Sequence, residues 1–277
     1  MPLGGGDQGL FSADDQHPAR PALDRGFTML SDVSLRDNGG QIMNASGTNG
    51  ELFATEVPAK SAGTTRRHAI TDAALAHFQA AYPTETITKQ DIFYYIYGLL
   101  HSEDYKKCYA DNLSKELPRI PCVKKAADFR VFSQAGRDLA GLHVNYESVT
   151  PYPVNYEGGA LFMDSFTDAD YRVEQMKFGK QGKETDKTTV IYNHKITMTN
   201  IPLEAYDYVV NGKPALEWVM ERQAVTTHKE SGIVNDANLW ATETMNDASY
   251  PLKLFQRVIT VSLETMKIVR ALPRLDI

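Results

Sequence analysis

Between Tyr171 and Lys195 six basic side chains (Arg172, Lys177, Lys180, Lys183, Lys187 and Lys195) stand against three acids, Glu174, Glu184 and Asp186. This is a local excess of +3 in a chain whose formal net charge is −6. Lysines on turns neutralise phosphates and fix register on a duplex. Glutamine and asparagine offer the paired donor and acceptor that adenine presents in the major groove, and arginine or lysine match guanine. Lys177, Lys180, Lys183, Lys187 and Lys195 are therefore candidate phosphate contacts, with Arg66 and Arg67 as outer ones. Gln175, Gln181, Tyr192 and Asn193 are candidate base contacts. The same residues also describe an ordinary exposed hairpin whose lysines serve only solubility. Residue type alone leaves both readings open.

Other chemistry finds less support. The sequence holds no GxxxxGK[ST] phosphate loop, no GxGxxG and no GxSxG elbow, and no Pro-Pro pair of the kind an amino-methyltransferase signature needs. His101, Cys108, Cys122 and His143 are spaced too widely for a zinc finger, so no metal ligands are assigned. Asp164, Asp168, Asp170 and Glu174 fit a solvated acidic turn better than an EF-hand loop. The loop 229–240 carries Asn235, Asp236 and Asn238, residues that cap turns or, as a weaker reading, touch DNA. Trp218 and Trp240 read as core anchors rather than base-stacking platforms.

These groups need elements to hold them. TTVIYNHKITMT is the best strand candidate, RVEQMKF alternates like a strand, and GKQGKETDK makes a Gly- and Lys-rich turn between them. Asn193–His194 marks a second turn. The support is helical. Thr88 with Asp91 forms a variant capping box, followed by Ile92, Tyr95, Ile96, Leu99 and Leu100 at helical spacing. Ser102 can cap a further helix running towards Lys115. Thr71 starts an earlier helix with Ala74, Leu75, Phe78 and Tyr82 on one face. From Lys124 to Tyr146 the residues Phe129, Phe132, Ala135, Leu139, Leu142 and Val144 face inward, with Gly136 and Gly141 permitting close packing. Helical patterns resume at 202–210 and 214–223, separated by an Asn211–Gly212 C-cap, and again from Pro251 to about Leu272.

The expected fold class is α+β: a helical body over 65–150, an inserted β-rich recognition segment over 151–200, and a helical C-terminal portion over 201–277. Residues 1–64 read as a poorly defined lead-in of loops or short strands. A chain of 277 residues with 42% hydrophobic and 23% charged residues suits a soluble globular protein. It lacks a run of about 18 apolar residues, so no membrane partner is expected. With two cysteines and no visible secretory signal, the expected location is the cytoplasm. The acidic total argues against a nonspecific nucleic-acid coat and leaves room for a reader that concentrates its cations on one face.

DIFYYIYGLLHS followed by ELPRIP is similar to the start of the C-terminal specificity, or target-recognition, domain of the type ISP restriction–modification enzymes. RRHAITDAAL, FSQAGRDLAGLHVNYE, VEQMKFGK, DKTTVIYN, IPLEAYDYVVNGKPALEWVMERQ, KESGIVNDANLW and VSLETMKIVRALPRLDI complete the resemblance, from about Arg66 to Ile277. Enzymes of this family join nuclease, helicase-like ATPase and adenine methyltransferase parts to a specificity module. The resemblance implies sequence-specific binding of double-stranded DNA, with a target adenine positioned for N6 methylation by a neighbouring methyltransferase domain. It also implies that the assembly is positioned for ATP-driven translocation and cleavage. The partners implied are duplex DNA and the methyltransferase and helicase/nuclease domains of the same or a companion polypeptide. S-adenosylmethionine, ATP and Mg belong to the intact enzyme; this chain, lacking those motifs, is expected to need no cofactor and to be non-catalytic. One alternative is a helical assembly module that docks other domains without touching DNA. Another is an enzyme with a nonstandard site.

Overall fold

The computed structural model describes residues 70–113, 115–158 and 165–277, together with the short strand β1 (Met43–Asn44). Arg66, Arg67 and Asp164, and most of the lead-in 1–64, lie outside the described residues. The class is α+β, as the sequence patterns predict. The described chain forms two compact units. A helical unit takes the residues up to Tyr152 together with Leu203–Ala215 and Gln256–Ile277. A mixed unit takes Pro153–Pro202 and Leu216–Phe255. The stretch 201–277, expected as one helical portion, is thus shared between the two.

In the helical unit α1 (Asp72–Ala81) begins where Thr71 Oγ1 accepts the Ala74 N–H at 3.1 Å. Its successor α2 (Lys89–His101) opens on the expected capping box. Thr88 Oγ1 accepts the Asp91 N–H at 3.1 Å, and the Asp91 carboxylate accepts the Thr88 N–H at 2.9 Å. Ser102 then caps α3 (Glu103–Cys108), but the helix breaks at Tyr109 and continues only as α4 (Ala110–Leu113). Beyond β2 (Arg119–Ile120), which pairs parallel with β1, α5 (Ala126–Val144) lies against α2. Phe129, Phe132, Ala135 and Leu139 are buried as the spacing predicts, whereas Val144 is exposed and His143 takes the inward position.

Tyrosine hydroxyls in that core would cost free energy if left unpaired. Tyr105, Tyr95 and Tyr82 donate instead to the carbonyls of Arg119, Pro121 and Val123, at 2.5, 2.6 and 2.6 Å. Alternate carbonyls of an extended segment point the same way. One line of tyrosines therefore holds residues 119–123 against the helices.

The mixed unit is built on an antiparallel sheet in the order β3 (Asn155–Tyr156), β6 (Thr197–Thr199), β5 (Glu184–Ile191), β4 (Lys177–Gln181). One sheet face buries Val190 and Met198. Asn211–Gly212, read from sequence as a helix C-cap, is instead the two-residue turn between β7 (Val209–Val210) and β8 (Lys213–Pro214), in the helical unit. Both turn residues adopt positive φ, 50° and 79°, as such a hairpin requires. The expected helix 202–210 reduces to a 3₁₀ turn, Leu203–Tyr206. Downstream come α6 (Ala215–Arg222), β9 (Thr226–Thr227), β10 (Val234–Asn235), α7 (Ala237–Glu243) and α8 (Tyr250–Arg270). Among the described residues no helix is long and apolar enough to cross a membrane.

Candidate nucleic-acid interface

The lysine-bearing segment forms the predicted hairpin. Gln181 pairs with Glu184 across the two-residue turn Gly182–Lys183, where Gly182 supplies a φ of 66°. Pairing runs Lys180 to Thr185 and Gly179 to Asp186, then jumps to Phe178 with Val190 and Lys177 with Ile191. Lys187, Thr188 and Thr189 therefore form a bulge on β5. Asp186 closes it by accepting the Thr188 N–H and hydroxyl at 2.9 and 2.6 Å. A bulge re-aims the side chains it carries, and this one turns Lys187 to Glu217 on α6 at 2.8 Å.

The five lysines thus divide. Lys187 is ion-paired and also lies 5.6 Å from the centre of the Phe178 ring. Lys195 is paired with Asp170, whose carboxyl is lowered to about 2, chiefly by that hydrogen bond and then by those from Thr167. Lys177, Lys180 and Lys183 are exposed and have no ion-pair partner among the described residues. All three belong to one strand and its turn. By strand alternation Lys177 and Gln181 leave one face, and Lys180 the other, so the hairpin carries cations on both of its faces.

The candidate base contacts divide too. Gln175 and Gln181 are exposed. Tyr192 is not available: it is fully buried and its hydroxyl donates to the Tyr171 carbonyl at 2.6 Å, which makes it a core anchor. Burial also pushes that phenol above the ordinary tyrosine range. The Asn193 amide is spent on its own turn. It donates to Asp170 and Arg172 carbonyls at 2.8 and 2.9 Å, and accepts from the Lys195 and Ile196 N–H groups, both at 2.8 Å.

Ahead of β4, residues Arg172–Met176 bury Val173 and Met176, three apart, so the two-residue alternation predicted for RVEQMKF is not realised. The Asn238 side chain takes the place of a strand partner. It accepts the Val173 N–H at 2.9 Å and donates to the Val173 carbonyl at 2.8 Å. Arg172 donates to Glu174 at 2.6 Å and to buried Asp236 at 2.9 Å. Burial alone would raise the Asp236 carboxyl, but hydrogen bonds from Asn238 and Arg172 outweigh it and hold it below the usual range. Asp236 and Asn238, noted in the sequence as turn residues or weaker DNA contacts, are therefore the bracket that fixes the base of the hairpin. Only their Asx character was visible beforehand; their partners lie more than sixty residues away.

The family described as the type ISP C-terminal specificity domain matches residues 38–254. The chain belongs to that family. Three solved structures resemble this specificity domain. A nuclease-deletion mutant of the type ISP restriction–modification enzyme LlaGI in complex with a DNA substrate mimic is 41% identical, with TM-score 0.57, over 70% of this chain and 14% of its own. The ATP-dependent type ISP enzyme LlaBIII bound to DNA is 37% identical, with TM-score 0.62, over 76% of this chain and 12% of its own. The DrdV–DNA complex is 33% identical, with TM-score 0.60, over 76% of this chain and 20% of its own. The specificity domain thus spans between 12% and 20% of those chains. Among curated protein sequences none matches it.

Proposed function

We propose that this chain reads the sequence of double-stranded DNA as the target-recognition part of a restriction–modification enzyme. The observation that carries the proposal is its family membership together with 33–41% identity to enzymes solved on DNA. The exposed lysine hairpin supports it. Lys177, Lys180 and Lys183 contact phosphates, and Gln175 and Gln181 meet base edges. Recognition positions the target adenine for N6 methylation by a neighbouring methyltransferase domain, and the assembly for ATP-driven translocation and cleavage. The chain itself supplies no catalytic group.

Selection from duplexes with a randomised core tests this reading. The chain should enrich a defined, asymmetric sequence, and that sequence should bind more tightly than the unselected pool, as specific readers do by about a thousandfold or more. Retention of the pool without enrichment, or no retention at all, contradicts it.

A further inference from the structure

The lysine hairpin shares its base with a second one. β9 and β10 pair antiparallel, Val234 opposite Thr227 and Asn235 opposite Thr226. Backbone bonds of 2.8 Å from His228 N–H to the Ile233 carbonyl and from Gly232 N–H to the His228 carbonyl close the turn. Inside it, His228 Nδ1 accepts the Ser231 N–H at 3.3 Å, and Gly232 takes a φ of 68°. This braced turn leads into bare aliphatic side chains: Ile233 is 61% exposed and Val234 52%. The other side chains of the ribbon, Thr226, Thr227 and Asn235, are polar. The major groove of DNA admits a two-stranded ribbon and offers thymine methyls to apolar side chains there.

Both ends of this second hairpin are tied to the segment that launches the first. Before it, the Val225 N–H donates to the Glu174 carbonyl at 2.9 Å. After it, Asp236 accepts from Arg172 at 2.9 Å, and Asn238 bonds both backbone groups of Val173.

We propose that the β9–β10 hairpin is a second DNA prong, its Ile233 and Val234 side chains making apolar contact with base edges in a groove, of the kind thymine methyls offer. This rests on the reading of the chain as a DNA reader. Lys229 and Glu230 at its tip cancel in charge, so the prong contributes discrimination rather than phosphate neutralisation.

The test uses the full chain and a duplex library with a randomised core, comparing wild type with an Ile233→Ser/Val234→Ser variant and with Lys177→Ala/Lys180→Ala. Both aliphatic positions are exposed, so the fold tolerates serine there. The serine variant should lose about tenfold in enrichment of the preferred sequence, in line with the loss of one good base contact. Its affinity for the unselected pool, and the salt dependence of that affinity, should stay unchanged. Unchanged enrichment overturns the second prong, as does a lower pool affinity with a flatter salt dependence, which would make it a phosphate contact. If the lysine variant weakens binding while the serine variant is silent, only the second prong fails. If the wild-type chain itself enriches no sequence, the DNA reading fails with it.

Discussion

His143 sits 2.7 Å from the Tyr97 hydroxyl through Nδ1 and 2.8 Å from Thr265 Oγ1 through Nε2, and stacks on Tyr208 with ring centres 5.6 Å apart. The His101 ring lies 5.5 Å away, its Nδ1 2.8 Å from the Tyr97 carbonyl. Burial pushes His101 down to about 4, and burial together with His101 pushes His143 well below the ordinary histidine range. Both rings are therefore neutral in the folded chain near neutrality, and protonate first in the unfolded one. Their contribution is fully present above the unfolded value of about 6.5 and drains as pH falls below it, for His101 down towards 4. For His101 alone the gap corresponds to about 3 kcal/mol. The urea midpoint should fall between pH 7 and pH 5, and His101→Phe should flatten that fall whatever its effect on absolute stability. An identical pH slope in the variant would contradict the assignment. In the sequence these two histidines stand 42 positions apart with nothing to join them, and only the pairing of α2 with α5 brings their rings together.

At the scale of elements the close approach of α2 and α5 depends on two glycines. A Cβ on Gly98 would meet the Phe132 carbonyl oxygen at 2.2 Å, and one on Gly136 the Tyr94 carbonyl oxygen at 1.8 Å. Neither obstacle is a side chain that can swing away. Gly98→Ala or Gly136→Ala should each cost about 3 kcal/mol, read as a lower urea midpoint at unchanged m-value. Gly141→Ala, with nothing within 4 Å, should cost nothing measurable. The role of Gly136 was legible from the helical spacing around it, while Gly141, chosen on the same grounds, falls on the exposed face. Local signals read well wherever the chemistry is local: the Thr88–Asp91 box, the Ser102 cap, the Gly182–Lys183 turn. They failed where a distant partner decides. Residue type offers Tyr192 as a base contact, but its burial is set by β6 and its hydroxyl is taken by the Tyr171 carbonyl, neither of which the strand pattern contains. Asn211–Gly212 offers positive φ equally to a helix end and to a tight hairpin, and the pairing of Val210 with Lys213 selects the hairpin.

At the scale of the molecule, the order of sequence blocks identified the family, and the α+β class followed from the switch in periodicity near Pro151. The division into units did not. A chain that leaves the helical unit at Tyr152, returns for Leu203–Ala215 and returns again after Phe255 has no linker composition to mark the crossings. Nor could the sequence separate five lysines into two bound by Glu217 and Asp170 and three with no ion-pair partner among the described residues. Lys177, Lys180 and Lys183 are the cations held out on the hairpin, and each phosphate contact contributes close to one unit to the salt dependence of DNA affinity. The decisive measurement is the slope of log Kd against log salt concentration for duplex DNA, in wild type and in Lys177→Ala/Lys180→Ala/Lys183→Ala. The slope should shrink by about three in the variant, with weaker binding to every sequence. Equal slopes and equal affinities would mean that the hairpin does not touch the duplex.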